Sequence, residues 1–356
     1  MEAGNSNRRV AVTGATGLIG SNLVAEMVKA GYTDIVIIVR NRERMGGLER
    51  TFGFHGLTLS GSSVDIVDLD FSDTESLERA FKGADTVFNC AGAIMQGEMT
   101  AQQLIDNNVS VTRSVVEASL AAGVKKIIHT SSITVLQPPG DHTTPITEED
   151  MAEATAYDSG YTRSKYYADM EIARGRDKGL QTVIVMPAVV LGEGDWSLNG
   201  SSALIPFISR GLPVYAEGVM AYVDVRDVGR AMIALDGCPE ADGEAFIVAG
   251  GNLSYRELIT WGAGAAGKRK PWLRIGKGLL LTGYGIVRGL AWAGLMKSHG
   301  LKRENLDSVL YGNRYDGSRI EKFCNFTYTP LEATVERSVK NYLSGKKYGD
   351  RGKLQT

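Results

Sequence analysis

The chain has 356 residues, 43% of them hydrophobic and 22% charged, which excludes a disordered or fibrous protein and suffices for two domains or one large one. Lys plus Arg (39) nearly balance Asp plus Glu (41), leaving a net charge of -2 and no global field for nucleic acid. Cys90, Cys238 and Cys324 are odd in number and widely spaced, which fits neither a disulfide framework nor a zinc site and suits a reducing cytoplasm.

In chain order, Met1 to Arg9 is polar, lacks the apolar core of a secretory signal and reads as a disordered lead. Arg9 to Val12 is a short strand entering a Gly-rich turn, and Ser21 to Ala30 a helix closed by Gly31. Ile35 to Val39 is β-branched throughout, as a strand buried on both faces should be. Val64 to Leu69, Thr86 to Phe88, Lys126 to His129 and Thr182 to Val185 follow as strands. Helices over Asp73 to Phe81, Ile105 to Ala122 and Tyr161 to Arg174 alternate with them. Such alternation predicts right-handed crossovers and a parallel sheet covered on both faces.

After Pro187 the rhythm breaks. Gly192 to Gly218 is rich in Gly and Ser, Val225 to Leu235 reads as a helix, and Ala245 to Val248 as a returning strand. From Gly251 onward the pattern is mainly helical. The predicted fold is α/β: a Rossmann-type doubly wound parallel sheet over 8–190 plus about 221–249, with a smaller, mainly helical C-terminal lobe. That lobe takes 191–220 and 250–345, and 346–356 is a loose tail. The apolar segment Leu279 to Met296 is interrupted by Arg288 and four glycines, so it reads as a buried or pocket-covering helix. A weak contact with a membrane surface is the lesser option there.

Thr13-Gly14-Ala15-Thr16-Gly17-Leu18-Ile19-Gly20 carries the first chemistry. A strand ends, the chain turns without Cβ atoms, and a helix opens with free N–H groups suited to a pyrophosphate. At the end of the second strand a carboxylate would hold the ribose of NAD, whereas this chain has Arg40, then Arg42 and Arg44. Guanidinium pairs bidentately with phosphate, so NADP(H) is preferred and NAD(H) is the second choice. Asp68 and Leu69, at the end of the third strand, are placed to meet the adenine.

Tyr161-Thr162-Arg163-Ser164-Lys165 carries the second signal. A four-residue step sets Tyr161 and Lys165 on one helix face. A phenol titrates near 10 and is a poor base at neutral pH; a nearby ammonium favours its phenolate, so the pair can move a proton at a carbinol oxygen. A hydroxyl from Ser131-Ser132 would hold that oxygen.

On these pieces, together with Asp68-Leu69, Cys90-Ala91-Gly92, Asp106 to Val109, His129 to Val135, Pro187 and Tyr222 to Val228, the chain resembles an extended short-chain dehydrogenase/reductase of the epimerase/dehydratase superfamily over roughly 8 to 345. The resemblance implies Tyr161 as catalytic acid/base, Lys165 as its modifier and a ribose ligand, and Ser132 rather than Ser131 as the substrate-oxygen partner. It implies that Ala91 and Asn107 line the cofactor, that Pro187 sits by the nicotinamide, and that a homodimer, if not a monomer, pairs through the long helices. Two departures matter. Val189 stands where sugar-nucleotide enzymes of the superfamily carry Asn, and Ile133-Thr134 replaces the acidic pair of 4,6-dehydratases. What remains resembles the dihydroflavonol 4-reductase and 3β-hydroxysteroid dehydrogenase branches, whose substrates are apolar.

The expected function is therefore NADP(H)-dependent interconversion of a carbonyl and an alcohol on an apolar small molecule. A nucleotide-sugar epimerase or dehydratase is the alternative, and a non-catalytic NADP(H) sensor is a third reading. No metal is expected. His129 reads as a core histidine, Glu148-Glu149-Asp150 as a helix cap or solvated face, Cys90 as a small packing group and Lys268-Arg269-Lys270 as a solvated turn. Trp196 and Trp292 read equally as pocket or core residues.

Overall fold

The computed structural model describes residues 8–94, 99–137, 141–151, 159–194, 201–282 and 310–352. Its strands are β1 (Arg9–Thr13), β2 (Asp34–Val39), β3 (Val64–Asp68), β4 (Thr86–Asn89), β5 (Lys126–Thr130) and β6 (Gln181–Pro187), then β7 (Val189–Leu191), β8 (Val214–Tyr215), β9 (Val219–Asp224), β10 (Ala245–Val248), β11 (Gly251–Ser254) and β12 (Leu273–Arg274). Seven of them form one parallel sheet in the order β10-β6-β5-β4-β1-β2-β3. The order reverses between β1 and β4, and a ligand crevice opens outside the carboxyl ends at such a reversal.

The helices are α1 (Leu18–Lys29), α2 (Met45–Phe54), α3 (Thr74–Phe81), α4 (Ala101–Ala122), α5 (Gly160–Asp177), α6 (Leu204–Ile208), α7 (Val225–Asp236), α8 (Tyr255–Ala265), α9 (Arg319–Cys324) and α10 (Leu331–Gly352). Alternate side chains of each strand enter different cores, as the two-residue pleat requires. Val10, Val12, Ile35, Ile37 and Phe88 pack with Leu23 of α1 and Val228 of α7. Ala11, Val36, Ile38 and Val87 pack with Leu77 of α3, Val115 of α4 and Ile172 of α5. Helix α4 is set at both ends: Thr100 and Gln103 form a capping box, and Gly123 closes it at φ +73°.

A third core joins Ile205, Ile208, Leu258, Ile259, Val335 and Val339, so α6, α8 and α10 build the smaller lobe. It also holds a three-stranded sheet, β11-β9-β7, and the short pair β12-β8. The sequence reading named none of β7, β9 or β11, because short strands inside Gly-rich chain offer no period to detect. It also passed over α2, whose first turn carries Gly46-Gly47, and glycine has low helix propensity. Helix α10 runs on to Gly352. Of Leu279 to Met296, residues 279–282 are helical and 283–296 lie outside the described residues, as do Trp196 and Trp292. Among the described residues no helix is long and apolar enough to cross a membrane.

The outer margin of β10 is closed by side chains. Glu148 accepts the Ile247 N–H at 2.8 Å, and Arg319 donates to the Ala245 carbonyl at 3.1 Å. Glu148 thus caps a strand edge, not a helix end, because an edge strand leaves every second backbone group unpaired.

Candidate active site

The glycines of the first turn are there because nothing larger fits. Gly14 has φ +69°, and a Cβ on it would lie 2.5 Å from the Cys90 carbonyl carbon. A Cβ on Gly20 would lie 2.3 Å from the Gly14 carbonyl oxygen. Helix α1 therefore starts hard against β1, with Gly17 as an N-cap that no side chain satisfies. The first-turn amides, those of Leu18, Ile19 and Gly20, are free to meet an anion.

Gly14, Thr16, Gly17, Arg40, Ala91 and Asn107 line one cleft of about 410 Å³ at the carboxyl ends of the strands. Phe71 is also in its wall, with the Arg40 guanidinium 5.8 Å from the ring centroid. Asp68 and Leu69 are not. Asp68 pairs with Arg42 at 3.4 Å, and the Leu69 N–H bonds the Val39 carbonyl at 3.0 Å. Phe71, 4% exposed and packed in the core with Leu77 of α3, borders the same cleft from a position with no motif to mark it in the sequence. Pro187 closes β6 beside β10, where the next amide, that of Ala188, bonds the Val248 carbonyl.

Beside this cleft Lys165 is 9% exposed and donates to the Thr130 carbonyl at 2.9 Å, which ties α5 to the end of β5. A Cβ on Gly92 would lie 3.3 Å from the Lys165 Nζ, so the ammonium stands at the cleft wall. Tyr161 is half-buried on the first turn of α5, one turn before Lys165. Gly160 lets that turn approach α4, since a Cβ there would lie 2.6 Å from Ala101 Cβ.

The two serines divide their work. Ser131 donates to Asp169 at 2.6 Å, while Ser132 Oγ accepts from the Thr134 amide (3.3 Å) and hydroxyl (3.1 Å), leaving its own hydrogen to spend elsewhere. Asp169 belongs to a buried polar chain running under the site. Thr13 donates to Asn89 at 2.7 Å, and the Asn89 amide meets His129 Nδ1 at 3.0 Å. His129 Nε2 then faces Asp169 at 3.4 Å. Desolvation holds the His129 imidazole below its ordinary pKa despite Asp169, so it is a neutral core histidine, in keeping with its reading.

Asn108, within Asp106 to Val109, holds the site from behind. It accepts the Ala93 N–H at 2.7 Å and donates to Ser164 at 2.9 Å, fixing the loop after β4 to α5. Cys90 accepts a hydrogen bond from the Thr130 hydroxyl at 3.6 Å; burial pushes its thiol up to about 11, so it is no nucleophile. Among the described residues no cluster of His, Cys, Asp and Glu has the makings of a metal site.

A glycine cradle that a Cβ would fill and free helix amides at the cleft, with Arg40 at the end of β2 in its wall, fit a dinucleotide. The sequence model of the NAD-dependent epimerase/dehydratase family matches residues 10–249. Cinnamoyl-CoA reductase 1 of Oryza sativa subsp. japonica is 31% identical over 272 residues, which are 72% of this chain and 77% of that one. Sterol demethylase protein B of Methylococcus capsulatus is 26% identical over 269 residues, 74% of this chain and 76% of that one. The fold is similar to that of yeast methylglyoxal/isovaleraldehyde reductase Gre2 complexed with NADPH, with a TM-score of 0.72, 18% identity, and coverage of 95% of this chain and 99% of that one.

Proposed function

The chain belongs to the NAD-dependent epimerase/dehydratase family and is a nicotinamide-dependent oxidoreductase; from that premise we propose that it interconverts a ketone or aldehyde and an alcohol on an apolar small molecule, with NADP(H) as cofactor. The observation that carries this reading is Lys165, fixed on the Thr130 carbonyl at 2.9 Å and standing against Gly92 in the cleft wall, one turn after Tyr161.

The nicotinamide, when bound, supplies or accepts the hydride. The Tyr161 hydroxyl holds and moves the proton of the carbinol oxygen, and the Lys165 ammonium, one turn on, would hold the ribose. Ser132 turns its free hydrogen to the same oxygen as charge develops there. The Leu18, Ile19 and Gly20 amides would hold the pyrophosphate, and Arg40 would pair with the extra phosphate of NADP.

Support for an apolar substrate comes from Val189, which packs half-buried against the smaller lobe where the sugar-nucleotide branches of the resemblance carry Asn. The similar proteins named above include a reductase of an aromatic thioester and one of small aldehydes, by their names alone.

The test is a fluorescence titration with NADPH and NADH side by side, followed by a panel of apolar ketones, aldehydes and thioesters. NADPH binding at least tenfold tighter, about 1.4 kcal/mol, with nicotinamide oxidised in step with substrate, is the expected result. Equal or tighter NADH binding overturns the NADP(H) assignment. Product formation with no net nicotinamide oxidation overturns the reductase assignment in favour of epimerisation.

A further inference from the structure

We propose that residues 268–282, on the smaller lobe, dock on an anionic lipid bilayer. Charge is the first ground. Between Glu257 and Glu304 the sequence has no Asp or Glu but nine Lys and Arg, in a chain whose acids otherwise outnumber its bases. Five of the nine, Lys268, Arg269, Lys270, Arg274 and Lys277, fall within ten residues of one another.

The second ground is how the segment is presented. Helix α8 ends at Ala265, and the Lys268 N–H returns to the Ala263 carbonyl at 2.8 Å. The Trp272 and Leu273 amides both bond the Pro213 carbonyl at 2.9 Å, and β12 pairs with β8. The backbone is thus pinned to the lobe, with Pro271 buried against it and most of the other side chains exposed. Trp272 is 74% exposed, Leu279 59% and Leu273 42%, and Lys268, Arg269, Lys270 and Lys277 are exposed beside them. Arg274 spends its charge on Glu217 at 2.7 Å; the other four have no ion pair to a described residue.

An exposed indole and exposed leucines lose free energy in water unless something apolar covers them. A bilayer interface suits an indole, whose ring enters the acyl boundary while its N–H stays among headgroups. Interleaved lysines and arginines then meet anionic headgroups. Nucleic acid would satisfy the cations and a single stacked Trp, but it offers nothing to Leu273 or Leu279. The assignment does not depend on the reaction proposed above.

The experiment uses the full-length protein and vesicles of phosphatidylcholine, with and without phosphatidylglycerol, separated by sedimentation. The protein is expected to sediment with the anionic vesicles only, and less as salt is added. Trp272→Ser and the combined Lys268→Ser, Arg269→Ser, Lys270→Ser variant should each weaken that binding about tenfold. Leu279→Ser is the second apolar variant, and NADPH titration of each protein serves as the check of folding. Failure to sediment with anionic vesicles overturns the proposal, as does undiminished binding by the folded variants. Tighter binding of a single-stranded oligonucleotide than of anionic vesicles, lost in the same variants, overturns it in favour of a nucleic-acid surface.

Discussion

Asp169 accepts the Ser131 hydroxyl at 2.6 Å from a position one helical turn beyond Lys165. Helix α5 therefore grips the end of β5 twice, through Asp169 on Ser131 and through Lys165 on the Thr130 carbonyl. Truncating Asp169 to Ala leaves the Ser131 hydroxyl buried without its acceptor and removes the carboxylate that His129 Nε2 faces. The expected loss is about 1–3 kcal/mol, with Tm falling about 2–4 °C for each kcal/mol in a chain of this order of size. Calorimetry on Asp169→Ala checks this, and an unchanged Tm would show that the buried chain contributes nothing.

Tyr161→Phe removes only the hydroxyl assigned to the carbinol oxygen. NADPH affinity should stay within about twofold while turnover of any carbonyl found in the panel falls about 10²–10⁴-fold. Lys165→Met should lower both, because the ammonium serves the cofactor as well as Tyr161. Full turnover by Tyr161→Phe would remove the assignment.

Arg40→Ala should weaken NADPH binding about tenfold or more and leave NADH nearly unchanged, since a single charge-assisted phosphate contact contributes about 1.5–3 kcal/mol. Arg42→Ala is the control, as that side chain is turned to Asp68. Equal losses for the two nucleotides would mean that Arg40 does not read the extra phosphate.

Gly14→Ala meets two objections at once: φ +69° and a carbonyl carbon 2.5 Å from the new methyl. Strain of about 1–3 kcal/mol is expected, together with loss of dinucleotide binding. Gly31→Ala, at φ +86° but with nothing within 4 Å, shares only the first objection and should keep the cofactor. Titration of both variants separates backbone strain from steric exclusion.

His129 and His55 are both held neutral by burial, their folded pKa values lying below the ordinary 6.5. Below pH 6.5 the unfolded chain takes up protons that the folded chain refuses, so stability is complete above that pH and is lost as pH falls. Asp169 and Lys165 are the charged groups that act on His129, in opposite directions. The Tm of the parent should drop between pH 7 and 5 more steeply than that of His129→Gln. Parallel curves would show that His129 takes up no proton on unfolding in that range.

The larger sheet was legible because its inner strands are buried on both faces. Ile35 to Val39 and Lys126 to His129 have no polar alternation to confuse with a helix, and glycines punctuate the helices that follow. The cradle, the place of Arg40 in the cleft wall and the spacing of Tyr161 and Lys165 were legible because close backbone approach, a strand end and a one-turn step are local properties. Asn89, Asn108 and Asp169 were not. Each is one polar residue in an apolar or helical run, and only the packing of distant segments shows that it faces another. Phe71 was lost in the same way, since its place both in the core and at the cleft margin leaves no trace in the local sequence.

The two carboxyl-to-amide and guanidinium-to-carbonyl contacts on β10 have a consequence for how this protein behaves in a crowd. A strand margin with open backbone groups is a template on which a second chain can lengthen the sheet. Glu148 and Arg319 occupy the Ile247 donor and the Ala245 acceptor, so β10 offers an incoming strand no continuous row to read. At the far margin β3 carries Asp65 and Asp68, charges that a stacking neighbour would have to strip of water. Both ends of the sheet are stopped by side chains rather than by length, and that makes self-association through strand addition unfavourable even where the protein is abundant.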